Sequence, residues 1–244
     1  MRKILLTIEY NGKNFCGWQT QANGRAVQEV LEKQISLLLN EKITLFASGR
    51  TDSGVHALGQ TAHFETNSNF DIKKLPSAIN FGLDKDISVL SANEVDPNFH
   101  ARYFVKRKTY LYKIYCSKME KPLKNGLATQ VKYELDTEKM EQASKFFIGK
   151  HDFSAFCASG NSTNDFVRTI FEIKIEKVAD EIHFYVTGDG FLYNMVRIIV
   201  GTLVAVGQGK IPPTAISAII ESKNRKKAGK TMPACGLYLF KVEY

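Results

Sequence analysis

One carboxylate in this chain stands in a setting suited to chemistry. Asp52 lies within Ser48-Gly49-Arg50-Thr51-Asp52-Ser53-Gly54-Val55-His56-Ala57, where five of the ten residues are Gly, Ser or Thr. Such a backbone can turn sharply. Gly49 and Gly54 permit positive φ or close approach of a ligand without a steric penalty. Arg50, two residues before Asp52, brings a guanidinium to the same loop. A short polar loop at strand ends is where a fold can present a catalytic acid. The same spacing also suits a plain turn in which the aspartate accepts backbone N–H bonds.

A second stretch, Lys106-Arg107-Lys108-Thr109-Tyr110-Leu111-Tyr112-Lys113, interleaves cations with aromatic rings. With period 2, Tyr110 and Tyr112 share a face with Lys106 and Lys108, while Leu111 and Lys113 lie opposite. Tyrosines so placed serve either as stacking surfaces for bases or as core residues with satisfied hydroxyls. Residues 223–230, Lys-Asn-Arg-Lys-Lys-Ala-Gly-Lys, form a charge run that suits either a solvated loop or phosphate contact. His56 and His63 titrate near neutrality in their unperturbed state, and read as structural or RNA-facing.

The composition agrees with a polyanionic partner. Thirty-three Lys and Arg against 25 Asp and Glu give a net charge of +8, and such residues displace counterions from phosphates. High pI is also common among proteins that bind no nucleic acid. An apolar content of 44% supports a full core. Cys16, Cys116, Cys157 and Cys235 contain no Cys-x-x-Cys pair, which argues against a zinc site and a disulfide framework. No His-x-x-x-His pair occurs, so no metal is expected. Free thiols, the absence of a signal-peptide core and the absence of a long apolar run together predict a cytoplasmic protein without a membrane span.

The elements that must position these residues follow from periodicity. Strands are expected over 3–10, 43–47, 58–64 and 87–95, with helices over 25–40 and 71–81. That order is βαββαβ, the split pattern of ferredoxin-like domains. After Asp96-Pro97, strands are expected over 103–115, 128–133, 169–177, 181–187 and 236–242, and helices over 136–148, 192–206 and 212–221. The expected fold is α+β. It has two ferredoxin-like (RRM-like) halves, 1–102 and 103–244, related by a pseudo-twofold. Their mainly antiparallel sheets are flanked by helices, with a central cleft. The duplication is inferred from element order.

Gly49-Arg50-Thr51-Asp52-Ser53-Gly54-Val55-His56-Ala57 closely resembles the active-site motif of the tRNA pseudouridine synthase A family, with Ser53 where the family usually has Ala. Further blocks resemble the family in order along the chain. They are Phe15-Cys16-Gly17-Trp18-Gln19, Phe99-His100-Ala101-Arg102, Lys108-Thr109-Tyr110-Leu111-Tyr112, Asn194-Met195-Val196-Arg197-Ile198-Ile199-Val200-Gly201 and Ala234-Cys235-Gly236-Leu237-Tyr238-Leu239. The resemblance implies isomerisation of tRNA uridines at positions 38, 39 and 40 of the anticodon stem-loop, by a homodimer and without a cofactor. It implies that Asp52 is the nucleophile, that Tyr110 lies in the active site, and that Arg197 is the counter-charge of Asp52.

The chemistry is compatible with those roles. The C1′–N1 bond breaks, the base rotates and a C1′–C5 bond forms, with no net redox change or hydrolysis. A dry pocket would neutralise an isolated carboxylate, and an arginine offsets this. Arg197 stands in an otherwise apolar stretch, where it is either paired or snorkels its stem along the helix surface. Arg50 could grip a phosphate, help flip the base or form a structural ion pair. Lys106, Arg107 and Lys108 are candidate RNA contacts. The rival readings are a non-catalytic RNA-binding protein, which could dispense with Asp52 and Arg197, and a nucleoside hydrolase. The hydrolase would need a metal cluster or a second close carboxylate.

Overall fold

The computed structural model describes residues 1–22, 24–160 and 164–244, with ten strands and five α-helices among them. The protein is α+β. It divides into two compact units, Met1–Lys106 with Tyr238–Tyr244, and Arg107–Leu237.

In the first unit β1 (Arg2–Tyr10) buries Ile4, Leu6 and Ile8, and pairs antiparallel with β3 (His56–Thr66). The register sets Ile4 against Phe64 and Leu6 against Ala62. Strand β4 (Ile87–Val95) flanks β1, and the short β2 (Phe46–Ala47) pairs with β3, both antiparallel. The order β4-β1-β3-β2 follows. The C-terminal strand β10 (Leu237–Glu243) lies parallel to the start of β3, with Tyr238 opposite His56. Helix α1 (Val27–Leu39) buries Val27, Leu31, Ile35 and Leu39 at helical spacing, and α2 (Leu75–Phe81) buries Leu75 and Ile79.

In the second unit β5 (Arg107–Cys116) pairs antiparallel with β9 (Glu181–Gly188), which pairs with β8 (Val167–Val178), which pairs with β7 (Gly149–Asp152). Strand β6 (Thr129–Val131) lies parallel to the end of β5. Helix α3 (Thr137–Ser144) packs on α4 (Met195–Gly207), and α5 (Ala215–Glu221) follows.

Several boundaries depart from periodicity for identifiable reasons. Ile43 and Leu45 are buried as a strand would bury them, yet β2 holds only residues 46–47. Their amides go to side chains of α1 instead: Ile43 N donates to Ser36 Oγ, and Leu45 N to Glu32 Oε1. The strand expected from 103 begins at Arg107, because residues 99–104 coil back through Phe104 N to His100 O and Arg102 N to His100 Nδ1. Strand β7 carries the sequence Gly-Lys-His-Asp, with no apolar alternation to announce it.

The interior of the first unit contains a titratable group. His63 is 3% exposed and its Nδ1 accepts the Ala101 amide at 3.2 Å. Burial, then the neighbouring His100 and Lys3, lower its pKa from 6.5 to about 4. Between those values the unfolded chain binds the proton and the folded chain does not, so stability rises with pH across this window. The urea midpoint is therefore expected to fall as pH drops from about 6.5 to about 4. His63→Phe should flatten that slope. An equally steep slope in the variant would show that another group carries the linkage.

Candidate active site

The loop around Asp52 is fixed from three sides within the first unit. On its entry side, Ser48 N donates to Thr61 O, Ser48 Oγ donates to Gln60 Oε1 at 2.7 Å, and Gln60 Nε2 donates to Gly49 O at 2.8 Å. Gln60 thus ties the first two loop residues to the centre of β3. At the middle, the hydroxyls of Thr51 and Tyr10 lie 2.8 Å apart in a buried bond. On the far side, Val55 N closes a turn onto Asp52 O at 3.1 Å.

The segment 15–18 forms the floor of this loop. Gly17 and Asp52 make an isolated antiparallel bridge, and Trp18 N donates to Thr51 O at 3.1 Å. Gly17 has φ +115°, and a Cβ there would stand 2.5 Å from Thr51 O. No side chain fits at that position, so Gly17 is required by both its dihedral and the close approach. The carbonyls of Gly17 and Trp18 in turn accept the amides of Val27 and Gln28 at the start of α1. These satisfy helix donors that have no partner inside the helix. The aspartate therefore rests on a strand, a helix start and a buried tryptophan. Asp52 itself is half-buried, while Arg50 and Ser53 are exposed.

The other candidate residues occupy the second unit, apart from Lys106. Tyr110 is half-buried on β5, and its ring meets Phe191 edge-on at 5.1 Å. Tyr112 is fully buried, its hydroxyl 2.7 Å from both Thr129 Oγ1 and Pro233 O. Burial pushes that hydroxyl far above its usual range, so Tyr112 is a neutral core residue. Arg107 lies over the Phe171 ring at 4.9 Å, and Lys108 is half-buried. Lys106 is exposed, and its amide donates to Glu243 O.

Arg197 occupies an unusual position. Eleven of the thirteen residues of α4 are buried, and Arg197 and Ala205 are the exceptions. The Arg197 Nε donates to Met232 O and its Nη1 to Asn194 Oδ1, both at 2.6 Å. Those bonds engage two arms of a fork that carries five N–H donors. Met232 N returns a bond to Arg197 O. The segment 229–232 lies against the helix because Gly201 has no side chain: a Cβ there would be 1.9 Å from Lys230 O. Gly229 N donates to Thr202 Oγ1, and Arg225 holds the same segment through Gly229 O and Thr231 Oγ1. Within the charge run, Lys223 pairs with Asp152 at 2.8 Å, whereas Lys226 and Lys227 are exposed.

The structure thus brings Tyr110 and Arg197 into one unit, where α4 packs on β5. It places Arg50 and Asp52 in the other. Sequence reasoning gave no role to Gln60, Tyr10, Asn194 or Met232. Among the described residues no group of three or more His, Cys, Asp or Glu side chains could hold a metal ion. No helix among them is long and apolar enough to cross a membrane.

The family model for tRNA pseudouridine synthase matches residues 6–104 and 143–244, which include the Asp52 loop and Arg197. The chain belongs to the tRNA pseudouridine synthase family. Curated relatives agree over full length. The tRNA pseudouridine synthase A of Caldicellulosiruptor saccharolyticus is 50% identical over 244 residues, covering 100% of both chains. That of Acetivibrio thermocellus is 49% identical with the same coverage. That of Bacillus licheniformis is 46% identical over 99% of each chain. Among solved structures, an archaeal box H/ACA sRNP Nop10-Cbf5 complex aligns with 12% identity and a TM-score of 0.39. That alignment covers 82% of this chain and 44% of the other, a likeness too distant to bear on the assignment. Membership of the tRNA pseudouridine synthase family makes the protein an isomerase acting on tRNA uridines.

Proposed function

We propose that the protein converts uridines 38, 39 and 40 of the tRNA anticodon stem-loop to pseudouridine, with Asp52 as the nucleophile. The observation that carries this reading is the locked loop. A carboxylate is held on a bridge to Gly17, between Gln60-anchored residues and a closed turn, as preorganised catalysis requires. In the reaction the C1′–N1 bond breaks, the base turns and a C1′–C5 bond forms. The proton on C5 leaves and N1 ends protonated, so atoms and electrons balance without a redox partner.

Arg197 is the counter-charge that keeps Asp52 ionised in a dry pocket. Its two bonds to Met232 O and Asn194 Oδ1 orient the guanidinium before substrate arrives. Tyr110 supplies an aromatic wall for the flipped base and a hydroxyl to relay the proton, with Phe191 fixing its ring. Arg50, Lys106, Arg107 and Lys108 contact the RNA backbone.

The enzyme works as a cytoplasmic homodimer of chains built from two related halves, 1–102 and 103–244, with a pseudo-twofold and a cleft. The order β4-β1-β3-β2 with α1 and α2 supports a ferredoxin-like first half. The sequence β5, α3, β8, β9, α4 supports a second half built to the same plan.

Positional specificity is tested by treating unmodified tRNA transcripts with the protein and mapping pseudouridine nucleotide by nucleotide. Modification confined to 38, 39 and 40 is the expected result. Pseudouridine at other positions, with none there, would overturn the anticodon assignment while leaving the family membership intact.

A further inference from the structure

A run of rings lies beside β3 in the first unit. Phe46 stacks on His63 at 5.2 Å and 22°, His63 meets His100 edge-on at 4.8 Å, and the His100 ring is 4.3 Å from Tyr103. Phe99 extends the run to Phe104 at 5.7 Å and to Tyr244 at 4.8 Å. The inner members are anchored. His63 accepts the Ala101 amide, and the Tyr244 hydroxyl donates to Ala101 O and lies 2.6 Å from Thr61 Oγ1. The outer members are open: Tyr103 is 75% exposed, Phe104 52% and Phe46 47%. Large rings, held from one side by other rings and bare on the other, make a stacking surface without further rearrangement.

Two features select the occupant. Positive charge lies beside the patch: Arg102 is exposed and acts on the His100 ring, as does Lys3, which is paired with Glu65 at 3.2 Å. A face that combines aromatic rings with positive charge complements nucleic acid bases and phosphates. A second copy would bring the same positive charge against itself. The patch is also continuous with the candidate catalytic loop. Phe46-Ala47 is β2, and the next two residues, Ser48 and Gly49, are the ones Gln60 clamps.

We propose that Tyr103, backed by His100 and Phe46, is a stacking platform for an unpaired base of the tRNA other than the target uridine. The proposal rests on the reading of residues 48–57 as the loop that receives the target nucleotide. It makes Tyr103 a binding residue that adds affinity without taking part in bond making.

The test uses the full chain and an unmodified tRNA transcript. Loss of one base–aromatic stack is worth about 1–3 kcal/mol, so Tyr103→Ala should raise Kd about 5- to 150-fold. The dependence of Kd on salt should keep its slope, because no phosphate contact is removed. Tyr103→Trp should bind as the wild type does, and its emission should be quenched by tRNA. The one native tryptophan, Trp18, is 2% exposed but underlies the Asp52 loop, so the wild type is titrated in parallel and its change in emission is subtracted. Repeating the quench with Asp52→Asn added separates the two claims, since stacking does not depend on which group is the nucleophile. An unchanged Kd for Tyr103→Ala, or no quench of Tyr103→Trp, overturns the platform. Unchanged affinity together with dissociation of an oligomer also overturns it, and assigns the patch to a second copy.

Discussion

Asp52→Asn is expected to leave tRNA bound and to stop its modification. Asparagine preserves the size of the side chain, and it leaves in place the loop bonds through Thr51, Ser48, Gly49 and the main chain of residue 52. The loop should therefore keep its form. Most affinity for tRNA comes from phosphate contacts, which this substitution does not touch. What is lost is the charge and nucleophilicity of one oxygen. Removing a nucleophile elsewhere costs on the order of 10⁶ in kcat, and a loss of about 10⁴-fold or more is expected here. Binding by filter retention and pseudouridine content by nucleoside analysis check both halves. Turnover within tenfold of wild type would remove Asp52 from the mechanism.

Arg197→Met is expected to produce the second largest loss. The substitution keeps an unbranched side chain in α4 but deletes the guanidinium, leaving Met232 O and Asn194 Oδ1 without their donor. On the reading proposed above, the counter-charge of Asp52 goes with it. Hydrogen bonds to a charged group are worth about 1.5–3 kcal/mol. Expressed in the transition state, that is a fall of about 10- to 150-fold in single-turnover rate. Arg197→Lys separates charge from geometry. It retains a cation but cannot span Met232 O and Asn194 Oδ1 with a planar fork, so it should recover only part of the rate. Wild-type rate and melting temperature in Arg197→Met would show that the guanidinium does neither job.

Much of the candidate site can be read along the chain because its parts are local. The Asp52 turn, its glycines and the flanking apolar runs fall within positions 43–64, and α1 follows a helical period. The departures arise where long-range partners decide. Ile43 and Leu45 look like strand residues, but Ser36 and Glu32 take their amides from the side of α1. Helix α4 begins at Met195 rather than 192, because Asn194 holds a left-handed conformation at φ 61°. No pattern marks that turn, although asparagine tolerates it better than most residues. The partner of Arg197, Met232 O, stands 35 residues away and is a main-chain atom, so no side-chain motif could reveal it. Gln60 reads as an ordinary polar residue of β3 until the structure shows it bonded to Ser48 and Gly49. The same applies to Tyr112. Its alternation matched that of Tyr110, and only its burial and its bond to Pro233 O mark it as core.

The most direct measurement of the central claim is tritium release from tRNA carrying 5-tritiated uridine. Isomerisation replaces the C5–H bond with C5–C1′, so each conversion should release one tritium to solvent while the base stays attached to the tRNA. The expected result is release that matches pseudouridine formed, with no free uracil, and none above background for Asp52→Asn. Tritium retained in the tRNA, or free tritiated uracil in solution, would contradict the account. Free uracil would point instead to hydrolysis of the glycosidic bond.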